Sequence, residues 1–408
     1  MADVPNAARI APAPASPVTP AGEAGGAAMP ASTADVRDAV RFAAGRRTPL
    51  RLAGRGTWLG AGRPVSAAVI LRLDGLTGII EYTPGDLTLT ARAGTSLAEI
   101  ASATAAEGQW LALAPWGGDA GSLGATVATA SAGPVGGSLG MPRDVVIGVE
   151  AVTGVGDIIR GGGRVVKNVA GFDLTRLMVG SWGTLGVVTE VSVRLRALPE
   201  HDVTVALSVP PTLAALADWL ATLRAAPVAP LALELLSPRL ARHLTLGDSS
   251  VLLARIAGNA ELVAAQQDAL GALGDATAVS GDIWSRLRTI EPDQATVLRF
   301  SGPVAHFADT WAAAERIAMS TVGGLAHASV LRAVARVILP HAGEELPDGA
   351  LVALRAGARQ TRVFERLPPS LWPSLAPSAV SDRLSLGVRA AFDPHRILNP
   401  GILGEPLA

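Results

Sequence analysis

The stretch KNVAGFDLTRLMVGSWGTLGVVTEVSVRL, residues 167–195, decides the fold prediction because it joins a glycine-rich loop to a patterned strand. One set of alternate positions holds Val187, Thr189, Val191, Val193 and Leu195, whereas the intervening positions from 190 to 196 are polar or charged. Side chains of a strand alternate between its two faces. Residues 187–196 are therefore predicted to form a half-buried strand that follows the loop.

The same stretch contains the only lysine of the chain, Lys167, although lysine and arginine together number 34. A lysine kept where arginine is otherwise used indicates a place that needs a compact ammonium group rather than a planar guanidinium. We take Lys167 and the neighbouring Asn168 as candidate catalytic residues near a cofactor or a bound anion. The alternative is a buried pair that satisfies loop carbonyls around Gly171.

Composition limits the classes of function. A chain of 408 residues predicts at least two domains, and 49% hydrophobic with 17% charged residues indicates a well-buried globular protein. The formal net charge of -1 provides no overall field for a polyanion, so no nucleic-acid partner is expected. The absence of cysteine excludes disulfides, iron–sulfur ligation by this chain and a thiol nucleophile.

The N-terminal residues are rich in Ala, Pro and Gly and carry no pattern of a signal peptide. Such a segment buries too little surface to become ordered, so residues 1–32 are predicted to form a flexible tail. No run of about 18 apolar residues follows. We therefore expect a cytoplasmic protein, with peripheral association at the inner face of the membrane left open.

Changes of pattern divide the rest of the chain into three parts. A first domain is predicted over residues 33–198, an α+β domain over 199–345, and a C-terminal segment over 346–408 that returns to the first domain. Ser32 with Asp35 and Ser96 with Glu99 have the spacing of capping boxes, which predicts a helix after each serine. The apolar run at 111–115 predicts a further strand.

Three glycine-rich loops lie beside predicted strands, at residues 54–57, 115–133 and 181–188. Glycine lets the backbone approach a ligand closely, and successive exposed amides form an anion-binding nest that suits a diphosphate. Gly54, Gly56 and Gly60 miss the spacing of the Rossmann fingerprint by one residue, and no Gly-Lys pair exists for a P-loop. A single loop of this kind is more often a tight turn, and the glycine spacing alone does not name the ligand.

Residues 50–198 resemble the FAD-binding domain of the vanillyl-alcohol oxidase and p-cresol methylhydroxylase type. The segments GRGT, GSLGATVATASAGP, KNVAGFDL and FDPHRILNPG are more closely similar to the FAD-binding subunits of bacterial glycolate oxidases. The resemblance implies an α+β fold, in which a two-subdomain FAD-binding domain is joined to a smaller α+β cap domain. One departure is Phe172, where members of this family commonly have Tyr.

The resemblance also implies which residues contact FAD. Two groups would hold the diphosphate: Gly54, Arg55, Gly56, Thr57 and Trp58, and then Ser122, Leu123, Gly124, Ala125 and Thr126. The adenosine and ribityl side of FAD would be contacted by main-chain groups of Gly183, Gly186, Val187 and Val188. Gly133 would let the backbone pass near the cofactor, and Asn399 would reach the flavin. No His or Cys stands where relatives attach flavin covalently, so noncovalent FAD is expected.

For function, the resemblance implies an FAD-dependent oxidoreductase subunit. It would take part in oxidising glycolate to glyoxylate together with a homologous larger FAD subunit and an iron–sulfur subunit. The metal-binding and catalytic segment H-x-G-D-G-N-x-H of such dehydrogenases is not recognisable, and His327 and His341 lie too far apart for a local metal motif. No metal is expected, and the chain is predicted to lack its own base and carboxylate clamp. The alternatives are a noncatalytic flavoprotein scaffold and a stand-alone D-lactate or sugar oxidase.

Overall fold

A computed structural model describes residues 27–163, 173–341, 343, 345–346, 348–355 and 360–405. The candidate residues Lys167 and Asn168, and Gly171 beside them, lie outside the described residues. The described chain folds into two domains of mixed helix and sheet, and a C-terminal helix packs against the first domain.

The first domain contains ten short strands and five helices among the described residues. In chain order they are β1 (Ala27–Ala28), α1 (Thr33–Arg46), β2 (Leu50–Ala53), β3 (Val69–Arg72), β4 (Ile79–Thr83), β5 (Thr88–Arg92), α2 (Leu97–Ala105), β6 (Gln109–Trp110), α3 (Leu123–Thr129), α4 (Pro142–Val145), β7 (Val146–Val152), β8 (Ile158–Gly162), α5 (Leu174–Met178), β9 (Val187–Arg194) and β10 (Arg196–Ala197).

Side-chain caps start the two helices that the sequence predicts. The Ser32 hydroxyl accepts a hydrogen bond from the Asp35 amide, and Ser96 with Glu99 forms a complete capping box. A capping box satisfies amides that have no partner inside the helix. Strand β1 pairs in parallel with β3, so regular secondary structure begins inside the segment 1–32 that the sequence predicts to be a flexible tail.

The first domain has two main sheets, a parallel sheet in the order β1-β3-β2 and an antiparallel sheet in the order β4-β5-β9-β7-β8. The prediction of a strand from residue 187 is confirmed by β9, where Val187, Val191 and Val193 are buried and Arg194 is exposed. The predicted strand at 111–115 is wrong. The nearest strand is β6, which ends at Trp110, just before this run, and pairs with β10.

The second domain contains eight strands and seven helices among the described residues. They are β11 (His201–Ser208), α6 (Leu213–Ala225), β12 (Ala232–Leu236), α7 (Pro238–His243), β13 (Val251–Gly258), α8 (Ala260–Gly271), β14 (Ala276–Val279), α9 (Ile283–Arg288), β15 (Ala295–Ser301), α10 (Phe307–Met319), β16 (Leu325–Ser329), β17 (Val334–Pro340), α11 (Asp348–Arg355), β18 (Thr361–Arg366) and α12 (Trp372–Leu375).

These eight strands form one antiparallel sheet in the order β14-β11-β13-β12-β16-β17-β15-β18. This sheet is the largest among the described residues. One face packs against α6 and α10 through an apolar core that includes Leu235, Ala328 and Val337. Because strand residues alternate, their neighbours Glu234, His327 and Arg336 lie on the opposite face.

Strand β18 lies at the edge of this sheet, beyond the predicted domain boundary at 345. The last helix of the described residues, α13 (Arg383–Phe392), returns to the first domain, where Phe392 packs against the core of the antiparallel sheet. Buried Asp393 accepts hydrogen bonds from the amides of Ile397 and Leu398. This turn positions Leu398 beside Leu50 at the start of β2.

Candidate functional site

A loop of free amides begins where β2 ends. The backbone amides of residues 54–58 donate no hydrogen bond to any residue in the described part of the chain. Gly56 has a φ of 77°, a left-handed conformation that glycine adopts without strain. A Cβ at this position would meet nothing within 4 Å. Successive amides exposed in this way form a nest that suits an anionic group.

The start of α3 forms the facing wall and approaches this loop closely. A Cβ on Gly54 would lie 2.2 Å from the Ser122 hydroxyl oxygen, and a Cβ on Gly124 would lie 2.5 Å from the Cβ of Ala93. Such distances are impossible for a real side chain, so both contacts require glycine. Gly54 is therefore packed directly against the side chain of Ser122, and Gly124 against Ala93.

Asn399 connects the third wall to the other two. Its Oδ1 accepts a hydrogen bond from the Leu52 amide at 2.8 Å, and its Nδ2 donates to the Trp182 carbonyl at 2.8 Å. Both polar ends of its side chain are engaged by the protein. Asn399 thus fixes the end of β2 against the turn at Trp182 and Gly183, where φ is 53° and 69°.

These walls enclose a cleft, and most of the residues predicted to hold FAD line it. The members are Gly54, Arg55, Gly56, Thr57, Trp58, Ser122, Gly124, Ala125, Thr126, Gly183, Gly186, Val188 and Asn399. Leu123 and Val187 are instead fully buried in the apolar cores. Gly133 lies outside the cleft, where a Cβ would lie 1.9 Å from the Ala114 carbonyl oxygen.

A second cavity of about 100 Å³, here called the chamber, opens beside the cleft and lies between the two domains. The cleft and the chamber share Trp58, Trp116, Thr129, Ser131 and Trp182. The Trp58 and Trp182 rings are stacked, with centroids 6.1 Å apart. A ligand in the cleft can thus meet a second molecule in the chamber across this shared wall.

The far wall of the chamber is the face of the eight-stranded sheet opposite α6 and α10. A polar row crosses it: Glu234 of β12, His327 of β16, Arg336 of β17, Arg299 of β15 and Glu365 of β18. The strand register produces the row, since His327 pairs with Arg336, and Arg336 with Arg299. Four of these five side chains are buried, Arg299 being half-exposed, so the row is largely desolvated.

A buried ionic cluster fixes one end of the row. The Arg336 guanidinium donates to Glu365 at 2.6 and 2.8 Å and also pairs with Glu291, while Arg299 pairs with Glu365 at 2.5 Å. Burial alone would raise the pKa of Glu365, but the charges of Arg336 and Arg299 outweigh it and hold that pKa below its ordinary value. Glu365 is therefore an ionised structural group.

The other end of the row is a histidine–carboxylate pair. His327 is 2% exposed and Glu234 is 1% exposed, and the His327 Nδ1 lies 2.9 Å from the Glu234 Oε2. The ring of Trp116 packs against the imidazole with the centroids 4.7 Å apart. The orientation of the imidazole is therefore fixed by a carboxylate on one side and by an aromatic ring of the first domain on the other.

Arg332 brings positive charge to the chamber from the turn between β16 and β17. Its guanidinium packs near Gly136 and forms no hydrogen bond or ion pair with any described residue. Burial, followed by the charge of Arg299, lowers the pKa of Arg332 from its ordinary value. Arginine nevertheless stays protonated in proteins, so Arg332 is a half-buried cation that forms no ion pair within the described residues, while the charges of Glu234 and Glu365 act on it from a distance.

Several buried polar atoms around the chamber have no hydrogen-bond partner among the described residues. They are Trp58 Nε1, Ser131 Oγ, Glu234 Oε1, His327 Nε2 and Ser329 Oγ, and all five residues line the chamber. Buried polar groups are normally satisfied, because leaving one unpaired costs about 1–3 kcal/mol. This concentration of unpaired donors and acceptors indicates a polar ligand. No cluster of three or more possible metal ligands occurs in the described part of the chain.

The sequence reasoning missed the chamber. The expectation that the chain lacks a base and a carboxylate clamp stays a prediction, and the structure places His327 and Arg332 in one cavity that the sequence reasoning did not foresee. The available signal was a single charged or polar residue inside an apolar strand, as in LALELL around Glu234 and LAHAS around His327. Which of these residues meet depends on strand register, which the pattern of one strand does not reveal.

Residues 24–162 match a protein family described as FAD binding domain. The chain carries an FAD-binding domain. The free amides at 54–58 and the glycine contacts of Gly54 and Gly124 fit this group, because a diphosphate needs close backbone approach. The match begins at residue 24, inside the predicted tail, and FAD is confirmed as the expected cofactor.

Relatives of the FAD-binding domain support the resemblance found in the sequence. The chain is 39% identical over 183 residues to glycolate oxidase subunit GlcE of Escherichia coli strain K12, which covers 44% of this chain and 52% of that protein. It is 35% identical over 208 residues to glycolate oxidase subunit GlcD of Bacillus subtilis strain 168, covering 51% of this chain and 44% of that protein. The chain thus spans about half the length of these curated relatives.

The fold prediction is confirmed by a solved structure. The structure of p-cresol methylhydroxylase with substrate bound superposes with a TM-score of 0.71 at 14% sequence identity, covering 93% of this chain and 88% of that chain. At this identity the likeness concerns the fold alone. Within the described residues, no helix has both the length and the apolar character needed to cross a membrane.

Proposed function

We propose that this chain is an FAD-dependent oxidoreductase that oxidises a small 2-hydroxy acid, with glycolate and its product glyoxylate as the first candidates. The observation that carries the proposal is the position of the chamber: an unpaired, half-buried Arg332 and five unpaired polar atoms lie directly beside the cleft of the FAD-binding domain. The names of the relatives, both glycolate oxidase subunits, support the same substrate class.

Arg332 is proposed to bind the substrate carboxylate. An arginine offers two parallel N–H donors that match a carboxylate, and the Arg332 guanidinium forms no ion pair with any described residue, so its donors are free for such a partner. When bound in the cleft, FAD supplies an acceptor for the hydride that leaves the C2 carbon of the hydroxy acid.

The cofactor is proposed to be held noncovalently, because no histidine, cysteine or tyrosine occurs among the described residues that line the cleft. The loop at 54–58 would hold the diphosphate, and Gly183, Gly186 and Val188 would contact the adenosine and ribityl side. Asn399 supports the walls rather than reaching the flavin, since both of its polar ends are engaged by the protein.

We further propose that the chain acts beside a homologous larger FAD subunit and an iron–sulfur subunit that carries the electrons onward. The word subunit in the names of both relatives supports an assembly, and the absence of cysteine is consistent with a separate iron–sulfur protein. A noncatalytic scaffold is less well supported, because a structural flavin gives no reason for unpaired polar atoms in a neighbouring chamber.

The test is an absorbance spectrum of the purified chain, loaded with FAD, before and after glycolate is added without oxygen. Bleaching of the flavin bands is the expected result, with D-lactate as a larger comparison substrate. Dithionite reduces flavin without using the chamber, so it is the control that shows that the bound FAD can be reduced. Flavin bands that bleach with dithionite but persist with every hydroxy acid would contradict the proposed function and favour the scaffold.

A further inference from the structure

The histidine of the chamber has one free nitrogen, and its position points to a chemical role. His327 Nδ1 is engaged by Glu234, while His327 Nε2 has no hydrogen-bond partner among the described residues, and His327 lines a cavity that Arg332 also lines. Because a carboxylate can only accept, Nδ1 carries the proton in this pair. In the neutral imidazole, Nε2 then has a free lone pair, which is the state that a proton acceptor needs.

A purely structural pair would look different. A buried histidine that only stabilises the fold has both ring nitrogens satisfied, because an unpaired buried group costs free energy. Here His327 Nε2, Glu234 Oε1 and Ser329 Oγ are all unpaired, and the three residues line the same cavity. The free energy lost in this arrangement is recovered only if a polar molecule enters.

The charges around the imidazole come from every strand that borders it. Glu234 of β12 lies on one side, Arg336 of β17 and Arg299 of β15 on the other, and Glu365 of β18 beyond them, while Arg332 lies on the adjoining turn. The side chains that the first domain contributes to the chamber, including Trp116 and Ser131, are uncharged. Glu365 is committed to the arginines, so Glu234 is the carboxylate that bears directly on His327.

We infer that His327 Nε2 accepts the hydroxyl proton of the 2-hydroxy acid and that Glu234 is the positioning residue that holds the imidazole in the required tautomer. This inference rests on the proposed function. The O–H bond of the substrate would break with its proton going to Nε2. FAD held in the cleft at residues 54–58 would supply the acceptor for the C2 hydrogen and its electron pair, so that a C=O bond would form and the hydroxy acid would become a 2-oxo acid as FAD is reduced.

The first experiment uses His327→Gln in the full chain loaded with FAD, and measures the anaerobic rate of flavin reduction by glycolate between pH 5 and 9. General-base catalysis contributes about 100- to 10,000-fold, so a rate loss of at least about 100-fold is expected. The pH dependence of the rate should differ between the wild type and the variant, because the variant lacks the proposed proton acceptor.

His306→Gln is the matched control. His306 is also near a carboxylate, Asp309, at 3.7 Å, but this pair is exposed and lies outside the chamber. The control should keep the wild-type rate and pH dependence. Glu234→Gln should lower the rate by a comparably large factor, because the amide NH2 group can donate to Nδ1 and hold the imidazole in the opposite tautomer, with Nε2 protonated.

A second readout does not depend on turnover. Oxalate, an unreactive dicarboxylate of similar size, is titrated into the FAD-loaded wild type by calorimetry at pH 7.5 in two buffers of different ionisation enthalpy. An anion bound beside a neutral imidazole favours its protonation, so uptake of up to about one proton per protein is expected. In His327→Gln, oxalate should still bind through Arg332 without that proton uptake.

The outcomes separate the two proposals. Wild-type flavin that no hydroxy acid reduces contradicts the proposed function. Wild-type flavin that is reduced, together with a His327→Gln rate within threefold of it and an unchanged pH dependence, contradicts the inference alone. If His327→Gln does not fold, wild-type oxalate binding without proton uptake contradicts the inference, and proton uptake with a slower Glu234→Gln supports it.

Discussion

The cleft and the chamber share a wall, but they are built from different parts of the polypeptide. The cleft is shaped by main chain: free amides at residues 54–58, close glycine contacts, and an asparagine that connects loops. The chamber is shaped by side chains that reach inward from five strands and a turn. The difference teaches that backbone geometry can hold a cofactor, whereas selectivity for a substrate depends on a few side chains.

The two regions also differ in how well their polar groups are satisfied. Asn399 in the cleft has both of its polar ends paired, whereas His327, Glu234 and Ser329 in the chamber each have an unpaired atom. Substitutions can therefore damage the regions separately. Adding a Cβ to a glycine of the cleft should weaken FAD binding. Removing a charge from the chamber should weaken substrate binding or lower the stability of the sheet.

The largest effect is expected at Glu365. Glu365→Gln leaves Arg336 and Arg299 without their shared carboxylate, and breaking a buried ion pair costs about 3–5 kcal/mol. Chemical denaturation at pH 7 should show this loss in the free energy of unfolding. Arg242→Gln, which breaks an exposed pair with Asp248, is the control and should cost less than about 1 kcal/mol.

The same pair predicts a pH dependence of stability. The pKa of Glu365 is lower in the folded protein than the ordinary value of about 4.3 in the unfolded chain. Its contribution is therefore fully present above that unfolded value and is lost as the pH falls through the folded pKa. Acid unfolding of the wild type should be steeper than that of Glu365→Gln, and equal slopes would contradict the assignment.

A smaller effect, confined to substrate, is expected from Arg332→Met. Hydrogen bonds to a charged group contribute about 1.5–3 kcal/mol, so the half-saturating glycolate concentration for flavin reduction should rise about 10- to 100-fold. FAD binding should not change, because Arg332 lies outside the cleft. Arg224→Met, at an exposed position of α6, is the control. Unchanged substrate affinity in Arg332→Met would contradict the proposal that Arg332 binds the substrate carboxylate.

Gly54→Ala should have the opposite effect to Arg332→Met, because it should weaken the binding of FAD rather than that of the substrate. Its Cβ would lie 2.2 Å from the Ser122 hydroxyl oxygen and force the two loops apart, and overpacking of this kind costs about 1–3 kcal/mol. Equilibrium dialysis should show FAD affinity reduced about 5- to 100-fold. Gly45→Ala on α1, where a Cβ meets nothing within 4 Å, should bind FAD as the wild type does.

A further effect is expected from Asn399→Asp, which keeps the side-chain size but places a buried carboxylate oxygen against the Trp182 carbonyl oxygen in place of the donated hydrogen bond. A buried polar group left unpaired costs about 1–3 kcal/mol, and more when it is charged, so losses of unfolding free energy and of FAD affinity should accompany each other. If FAD affinity falls by 100-fold or more while stability is unchanged, Asn399 contacts the cofactor directly, as the sequence resemblance implied.

The sequence was sufficient for the parts that local pattern determines. Strand β9 follows from its period of two, the helix starts follow from Ser32 and Ser96, and the glycine loops lie where they line the cleft. Leu123 and Val187 show the limit, because a motif position can lie beside a cleft and still point into the core. The chamber was beyond reach, since Glu234 and His327 meet only through the pairing of β12 with β16.

The most direct measurement for the central claim is a crystal structure of the FAD-loaded chain with oxalate bound. The account predicts the FAD diphosphate at the amides of residues 54–58, the flavin ring at the wall shared by cleft and chamber, and the oxalate carboxylate at Arg332 with an oxygen near His327 Nε2. Flavin in the cleft with oxalate bound outside the chamber, or a flavin ring that turns away from the chamber, would contradict it.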